Sequence, residues 1–281
     1  MILLFGVEGQ LGRELRAAAA AAGIGVAGPT EAEVDIADQA AVGSVVGRSQ
    51  PELIINAAAY TNVDQAESES EMAWRVNATG PEVVAETAAR AGVPLIHIST
   101  DYVFDGSKTG AYREDDPVAP INVYGQSKAA GEEAVRKSTP RHLILRTAWL
   151  YSRYGHNFAK TMIRLASERD ELRVVADQFG SPTAAHDLAR TIVGIVPRFR
   201  DFNAQYGTFH LAGDGVASWA DFADRIVAAQ ARITGRRPTV VPIATADYPT
   251  AARRPQNSAL DSARFAATFG LRLGAWQDAV G

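Results

Sequence analysis

The chain has 281 residues, 47% of them hydrophobic, a content sufficient for one large domain or for one domain plus a smaller lobe. Its 28 lysines and arginines against 32 acids give a net charge of −4 without a basic run, which argues against nucleic acid as a partner. Cysteine is absent, which excludes a disulfide scaffold, thiolate zinc sites and a cysteine nucleophile.

The first predicted elements form a strand–helix–strand unit. Residues 1–5 are a continuous apolar run, typical of a strand buried on both faces of a parallel sheet, and Gly6 ends it. A helix is predicted at 12–22, with Gly23 placed to end it, and a second strand at 24–27. This order predicts a βαβ unit.

The alternation of strands and helices continues along the chain. Strands are predicted at 53–56, 94–99, 142–146, 173–175 and 208–211. Helices are predicted at 72–91, after Asn122, and at 157–167, 185–196 and 219–231. This alternation predicts an α/β fold with a doubly wound parallel sheet, and the loop-rich remainder predicts a smaller C-terminal lobe.

The loop between the first strand and the first helix is rich in glycine, with the spacing G-x-x-G-x-x-G. Glycines there permit a tight turn and close approach of the backbone to a pyrophosphate, which faces the helix N-terminus. A plain turn also uses glycines, but the position at the first strand–helix junction favours dinucleotide binding. The candidate cofactor residues here are Gly6, Gly9, Gln10, Leu11 and Gly12.

The end of the second strand normally decides between NAD and NADP. Residues 27–30 (AGPT) supply neither an acid for the ribose nor an arginine for a 2′-phosphate, so both NADH and NADPH stay open. Arg13 suits either a 2′-phosphate contact or a solvated helix surface. Asp35 and Ile36 lie in an acidic turn similar to the one that runs along adenine in dinucleotide-binding proteins, although Asp38 also suits a helix N-cap.

Small side chains follow the third predicted strand. Their backbone can lie against a flat cofactor, although alanines in a loop also occur without such a role. The position at a strand C-terminus, where open α/β sheets bind ligands, favours the cofactor interpretation. The candidate contacts are Ala57, Ala58, Ala59 and Tyr60.

A tyrosine and a lysine lie four residues apart at the start of a predicted helix. Tyr124 and Lys128 therefore share a helix face, where the ammonium can lower the pKa of the phenol and reach a cofactor ribose. The strand at 94–99 ends in Ser99 and Thr100, whose hydroxyls we expect at the same sheet edge. Such a Tyr/Lys pair is common on helices, but together with the glycine loop it indicates an active site.

These residues and several longer motifs resemble the extended short-chain dehydrogenases, and within that superfamily the dTDP-4-dehydrorhamnose reductases. The resemblance runs along nearly the whole chain. Its most specific stretches are STDYVF at 99–104 and DQFGSPT at 177–183, and LRTAW at 145–149 and RRP at 253–255 also fit.

The resemblance implies NADH- or NADPH-dependent reduction at C4 of a dTDP-linked 4-keto-6-deoxy sugar, the last step to dTDP-L-rhamnose. It places Thr100, Tyr124 and Lys128 in catalysis, with Tyr124 as the proton donor. Our candidate substrate contacts are Thr61, Val63, Thr100, Asp101, Tyr102 and Trp149, with Arg253 and Arg254 for the diphosphate.

The order of the predicted elements divides the chain. We assign residues 1–150 to a dinucleotide-binding Rossmann domain and expect about 170–213 to rejoin it. Residues 151–169 and 214–281 are then the substrate-binding lobe.

Three other functions compete with a reductase. The family's dehydratases place an Asp-Glu pair after the catalytic threonine, whereas Asp101 is followed here by Tyr102. An epimerase stays open; it would hold its cofactor tightly without consuming NAD(P)H. A non-catalytic NADP-binding regulatory subunit, similar to that of methionine adenosyltransferase, also stays open, although the intact Thr100, Tyr124 and Lys128 argue against it.

Partners and location are predicted more coarsely. The five histidines are scattered, so we predict structural roles for them and no bound metal. Some family members dimerise around magnesium held by surface acids, but no clear acidic cluster appears here, and a homodimer stays open. No apolar stretch reaches the roughly 20 residues of a membrane span, and the first residues do not resemble a signal peptide. We therefore expect a cytoplasmic protein without a membrane partner.

Overall fold

The structure, a computed structural model, describes residues 1–200 and 205–280. Its strands are β1 (Ile2–Phe5), β2 (Val26–Ala27), β3 (Leu53–Asn56), β4 (Leu95–Thr100), β5 (His142–Thr147), β6 (Leu150–Tyr151), β7 (Glu171–Val175), β8 (Phe179–Gly180), β9 (Thr183–Ala184), β10 (Gly207–His210), β11 (Ala217–Ser218) and β12 (Thr239–Ile243). Its α-helices are α1 (Gln10–Ala21), α2 (Gln39–Ser49), α3 (Ser70–Trp74), α4 (Gly80–Ala91), α5 (Val123–Ser138), α6 (Phe158–Glu168), α7 (Ala185–Arg200), α8 (Trp219–Thr234) and α9 (Ala263–Phe269).

A six-stranded parallel sheet forms the centre, in the order β10-β5-β4-β3-β1-β2. From β1 the chain extends the sheet first to β2 on one side and then to β3 on the other. That reversal opens a crevice at the carboxyl ends of β1 and β3, where doubly wound folds bind ligands. The predicted doubly wound Rossmann-type sheet is confirmed.

Alternate residues of the central strands feed two hydrophobic cores. Leu4 and Leu145 pack on one face among side chains of α1, α7 and α9. Leu3 and Ile144 pack on the other face with side chains of α2, α4 and α5. Burial on both faces explains why β1 is a continuous apolar run in the sequence.

Three two-stranded sheets lie outside the central one, pairing β11 with β8, β12 with β7, and β6 with β9. Side chains of α6, α8 and β7 form a separate hydrophobic cluster there. Within the stretch 170–213, β10 joins the central sheet and α7 packs on it, whereas β7 pairs with β12 instead.

The helix predicted at 72–91 is interrupted by a π-helical turn, Arg75–Thr79. Pro81 lies in the first turn of α4 and has no amide hydrogen to donate, which explains why the regular α-helical pattern breaks before it. Strand β12 and helix α9 were not predicted. No helix in the described part of the chain is long and apolar enough to cross a membrane.

Candidate active site

The glycine loop forms a cradle at the carboxyl end of β1. Gly6 has a φ of +85°, and a Cβ on Gly12 would lie 2.0 Å from the carbonyl oxygen of Gly6. Neither position accepts a side chain. Gly9 is the N-cap of α1 and offers no side-chain cap to its amides, so the helix N-terminus remains available to an anion. The cradle fits the pyrophosphate of a dinucleotide.

A first cavity of about 660 Å³ opens beside this loop. The predicted cofactor residues that line it are Gly6, Gly9, Asp35, Ile36, Ala57, Ala58, Ala59 and Tyr60. Asp35 accepts a hydrogen bond of 2.8 Å from the amide of Ala37 and pairs with Arg75. The Ala37 amide, and after it Arg75, lower the pKa of Asp35.

The structure separates Arg13 from this cavity. Its Nε donates to the carbonyl of Glu8 at 2.9 Å, and its guanidinium lies 5.6 Å from the ring centroid of Tyr154, beside a different cavity. Arg75, which the sequence did not single out, lines the first cavity instead. Asp38 is the N-cap of α2 and accepts hydrogen bonds from the amides of Ala40 and Ala41.

A second cavity of about 590 Å³ adjoins the first and shares five lining residues with it, among them Gly9 and Ala57. The two therefore form one cleft along the carboxyl edge of the sheet. Predicted residues that line the second cavity are Gln10, Leu11, Thr61, Val63, Thr100, Asp101, Tyr102, Tyr124, Lys128 and Trp149. Gly12 packs behind the loop and lines neither cavity.

Tyr124 and Lys128 lie on the first turns of α5, which Asn122 caps by accepting a hydrogen bond from the amide of Gly125 at 2.8 Å. Burial lowers the pKa of Lys128 to about 8, and its ammonium donates to the carbonyl of Ile98 at 2.7 Å. We expected the lysine to lower the pKa of the phenol. Instead, burial raises the pKa of Tyr124 to about 12, so the phenol keeps its proton at neutral pH.

Asp101 is buried beside these groups and accepts a hydrogen bond from the hydroxyl of Thr100 at 2.9 Å. Burial raises the pKa of Asp101 to about 7, although hydrogen bonds from Ser258 and Thr100 oppose the shift. Tyr102 packs edge-on against the ring of Tyr124, with 5.9 Å between the ring centroids.

A buried charge network, which sequence reasoning missed, supports the strand end. Glu132 follows Lys128 by one helical turn and is fully buried. Its carboxylate accepts hydrogen bonds from Arg146 at 2.8 and 2.7 Å and from the hydroxyl of Ser99 at 2.6 Å. Burial opposes the ionisation of Glu132, but Arg146, together with Ser99 and Arg136, outweighs it and the pKa is lowered. The network ties α5 to β4 and β5 directly below the cleft.

Aromatic side chains form the far wall of the second cavity. Trp149 has a φ of +44°, and its indole stacks on that of Trp219 with 3.5 Å between ring centroids and 4° between planes. A Cβ on Gly180 would lie 2.3 Å from the ring of Trp149, so only glycine fits behind it. Trp219 was not predicted as a site residue. It is the first residue of α8 and follows Ser218, which forms a capping box that the sequence contains.

A model of the family described as the RmlD substrate binding domain matches residues 1–281. The chain belongs to this family. It is 49% identical to the dTDP-4-dehydrorhamnose reductase of Sinorhizobium fredii over 248 residues, which cover 88% of this chain and 84% of the relative.

Two solved structures of RmlD-family relatives have the same fold. The dTDP-4-dehydrorhamnose reductase of Clostridium acetobutylicum superposes with a TM-score of 0.92 at 38% identity, covering 99% of this chain and 96% of that one. The Bacillus anthracis reductase, solved in complex with NADP, gives the same TM-score, identity and coverage.

Arg253 and Arg254 line neither cavity of this RmlD-family chain. Arg254 binds Asp64, with Nη2 2.7 Å from Oδ2, and also donates to the carbonyl of Ala252. The carbonyl of Arg253 accepts a hydrogen bond from the Asn122 side chain at 2.8 Å, while the Arg253 residue is exposed. The two arginines therefore anchor the 251–255 loop next to the start of α5.

His156 lines the second cavity, although we predicted a structural role for every histidine. His156 lies in the loop after β6. The side chain of the next residue, Asn157, donates a hydrogen bond of 2.7 Å to the side chain of Gln10. Across residues 1–200 and 205–280, no group of three or more His, Asp or Glu side chains is arranged to hold a metal ion.

Proposed function

We propose that this chain catalyses the NAD(P)H-dependent reduction of the C4 keto group of dTDP-4-dehydro-L-rhamnose, giving dTDP-L-rhamnose. The observation that carries the proposal is the position of Thr100, Tyr124 and Lys128 in one cavity continuous with the glycine cradle. The curated relatives with this name, including the 49% identical protein of Sinorhizobium fredii, support the same reaction.

The cofactor would lie along the cleft with its pyrophosphate on the glycine loop and its adenine beside Asp35 and Ile36. When bound, NADH or NADPH supplies the hydride for C4 of the sugar. The backbone of Ala57–Ala59 provides a flat surface without bulky side chains between the two cavities. Lys128 would hold the nicotinamide ribose with its ammonium.

Tyr124 would donate its proton to the C4 oxygen as negative charge develops there. A phenol with a pKa of about 12 is protonated throughout the neutral range, which is the state that a proton donor needs. Thr100 would hydrogen-bond the same oxygen, and the buried Lys128 cation would stabilise the phenolate left on Tyr124. The product thus gains one hydride from the cofactor and one proton from Tyr124.

The sugar would bind between the strand ends and the aromatic wall. Thr61, Asp101 and Tyr102 offer polar groups, while Val63 and Trp149 offer an apolar surface to the 6-methyl group. The small sheets and helices α6 and α8 would form the substrate-binding lobe, corresponding to 151–169 and 214–281 in our division of the chain. We place the reaction in the cytoplasm, where a nucleotide-linked sugar and reduced cofactor are both available.

The test is oxidation of NADPH by the purified chain in the presence of dTDP-4-dehydrorhamnose. We expect one NADPH consumed for each dTDP-L-rhamnose formed, followed by absorbance and by chromatography of the sugar nucleotide. Sugar conversion without net NADPH oxidation would indicate an epimerase. NADPH binding without any conversion would indicate the regulatory-subunit function.

A further inference from the structure

Arg75 differs in charge from the other side chains that line the first cavity. Of the residues described as lining it, Arg75 is the only lysine, arginine or histidine. It lies on the π-helical turn and lines the same cavity as Thr30 and Glu31, which follow β2. In doubly wound folds the residues after the second strand surround the adenosine ribose, the part that differs between NADH and NADPH.

The loop after β2 carries an acid that faces away from the ribose site. The carboxylate of Glu33 accepts hydrogen bonds from both the amide of Thr30, at 2.8 Å, and its hydroxyl, at 3.0 Å. Glu33 is therefore used within its own loop and does not line the cavity. Of the acids in this loop, Glu31 lines the cavity and Glu33 does not, so one carboxylate remains there to oppose a 2′-phosphate.

The present partner of Arg75 leaves the guanidinium available. Arg75 pairs with Asp35, but the side chains are 52% and 44% exposed, and ion pairs between such groups are weak. Asp35 also accepts a hydrogen bond from the amide of Ala37, which keeps the carboxylate in place if Arg75 turns away. A phosphate dianion is a stronger acceptor than one carboxylate and binds a guanidinium with two parallel hydrogen bonds.

We propose that Arg75 binds the 2′-phosphate of NADPH and is the residue that sets the cofactor preference of this chain. The inference rests on the proposed function. Glu31 and Glu69 line the same cavity and oppose a phosphate, so the preference is modest. Both NADH and NADPH support turnover, within a factor of about 10 to 100.

The test measures dissociation constants of NADPH and NADH by fluorescence titration of the wild type, Arg75→Ala and Arg75→Lys without sugar. We expect Arg75→Ala to weaken NADPH about tenfold or more and to change NADH by less than about twofold. Arg75→Lys should retain part of the NADPH affinity, because lysine keeps the charge but loses the fork of donors. The wild-type NADPH constant should also rise more steeply with salt than the NADH constant.

Arg13→Ala is the matched control, since this arginine lies beside another cavity and should leave both constants unchanged. Equal loss of both cofactors in Arg75→Ala, or no loss of either, would overturn the inference, as would a selective NADPH defect in Arg13→Ala. Unchanged NADH binding shows that the variant is folded. These constants require no sugar, so failure of the proposed reaction in the wild type remains a separate result.

Discussion

The ammonium of Lys128 donates a hydrogen bond of 2.7 Å to the carbonyl of Ile98. Ile98 lies two residues before Thr100 on the same strand, so this bond fixes α5 against the strand end. The lysine is buried, and the neighbouring Glu132 carboxylate favours its charged form. One side chain thus positions the helix and supplies the positive charge of the site.

Lys128→Met should lower kcat and weaken NADPH binding together, because the cation would serve both the phenolate and the ribose. Loss of the bond to Ile98 also removes a contact between α5 and β4, which costs about 1 kcal/mol of stability. Lys137→Met, on the exposed end of the same helix, is the control. A slow Lys128→Met enzyme with wild-type NADPH affinity would refute the ribose contact. Steady-state kinetics, cofactor titration and thermal melting measure the three quantities.

Asp101→Asn should stabilise the protein more at about pH 8 than at about pH 5. The folded pKa of Asp101, about 7, lies above the unfolded value of 3.8. The stability that this group contributes is therefore present at low pH and lost as the pH rises through 7, where the fold must bury a carboxylate. Asparagine carries no charge and so removes that cost, and its side-chain oxygen can still accept a hydrogen bond from Thr100. The exposed Asp170→Asn is the control, and an equal change in Tm for Asp101→Asn at both pH values would contradict the prediction.

Trp149→Ala should reduce turnover of the sugar nucleotide more than it reduces stability. The indole lines the cavity and would give the 6-deoxy sugar an apolar surface, so KM should rise about tenfold or more. Trp74→Ala, a tryptophan 41% exposed and outside both cavities, is the control. A large fall in Tm with normal kinetics would indicate that Trp149 serves only its stack on Trp219.

Although neither arginine lines the two cavities, Arg253→Ala and Arg254→Ala should raise KM for the sugar nucleotide and leave NADPH affinity unchanged, because the diphosphate needs a cation that the occupied glycine loop cannot supply. Arg254→Ala also breaks the ion pair with Asp64, so Asp64→Asn separates loop anchoring from direct contact. If both arginine variants keep the wild-type KM, neither residue binds the nucleotide.

Much of the fold could be predicted from the sequence because the local patterns agree with the tertiary structure. The buried strands β1 and β3 are continuous apolar runs, and the glycine spacing is imposed by the contact between Gly6 and Gly12. Strand β12 was missed because its residues are half-buried or exposed and β12 pairs only with β7, so neither an apolar run nor clean alternation marks it.

Site residues that follow a strand end could be predicted from the sequence. Residues that only tertiary contacts bring to the cleft could not. Thr100 and Tyr124, which motif and spacing predicted, both line the second cavity. Arg75 lies 45 residues beyond Thr30, which lines the same cavity, and no local pattern marks it. The phenol's pKa was predicted in the wrong direction, because spacing along a helix reveals a neighbouring cation but not the burial that outweighs it.

The proposed reaction depends most directly on Tyr124 as the proton donor. Tyr124→Phe keeps the ring and its packing on Tyr102, so folding and NADPH binding should survive. Its kcat for dTDP-4-dehydrorhamnose should fall by about 10² to 10⁴, with a smaller change in KM, because the proton transfer acts in the transition state. Tyr248→Phe, an exposed tyrosine outside both cavities, should react at the wild-type rate. A folded Tyr124→Phe protein that reduces the sugar at nearly the wild-type rate would contradict the mechanism.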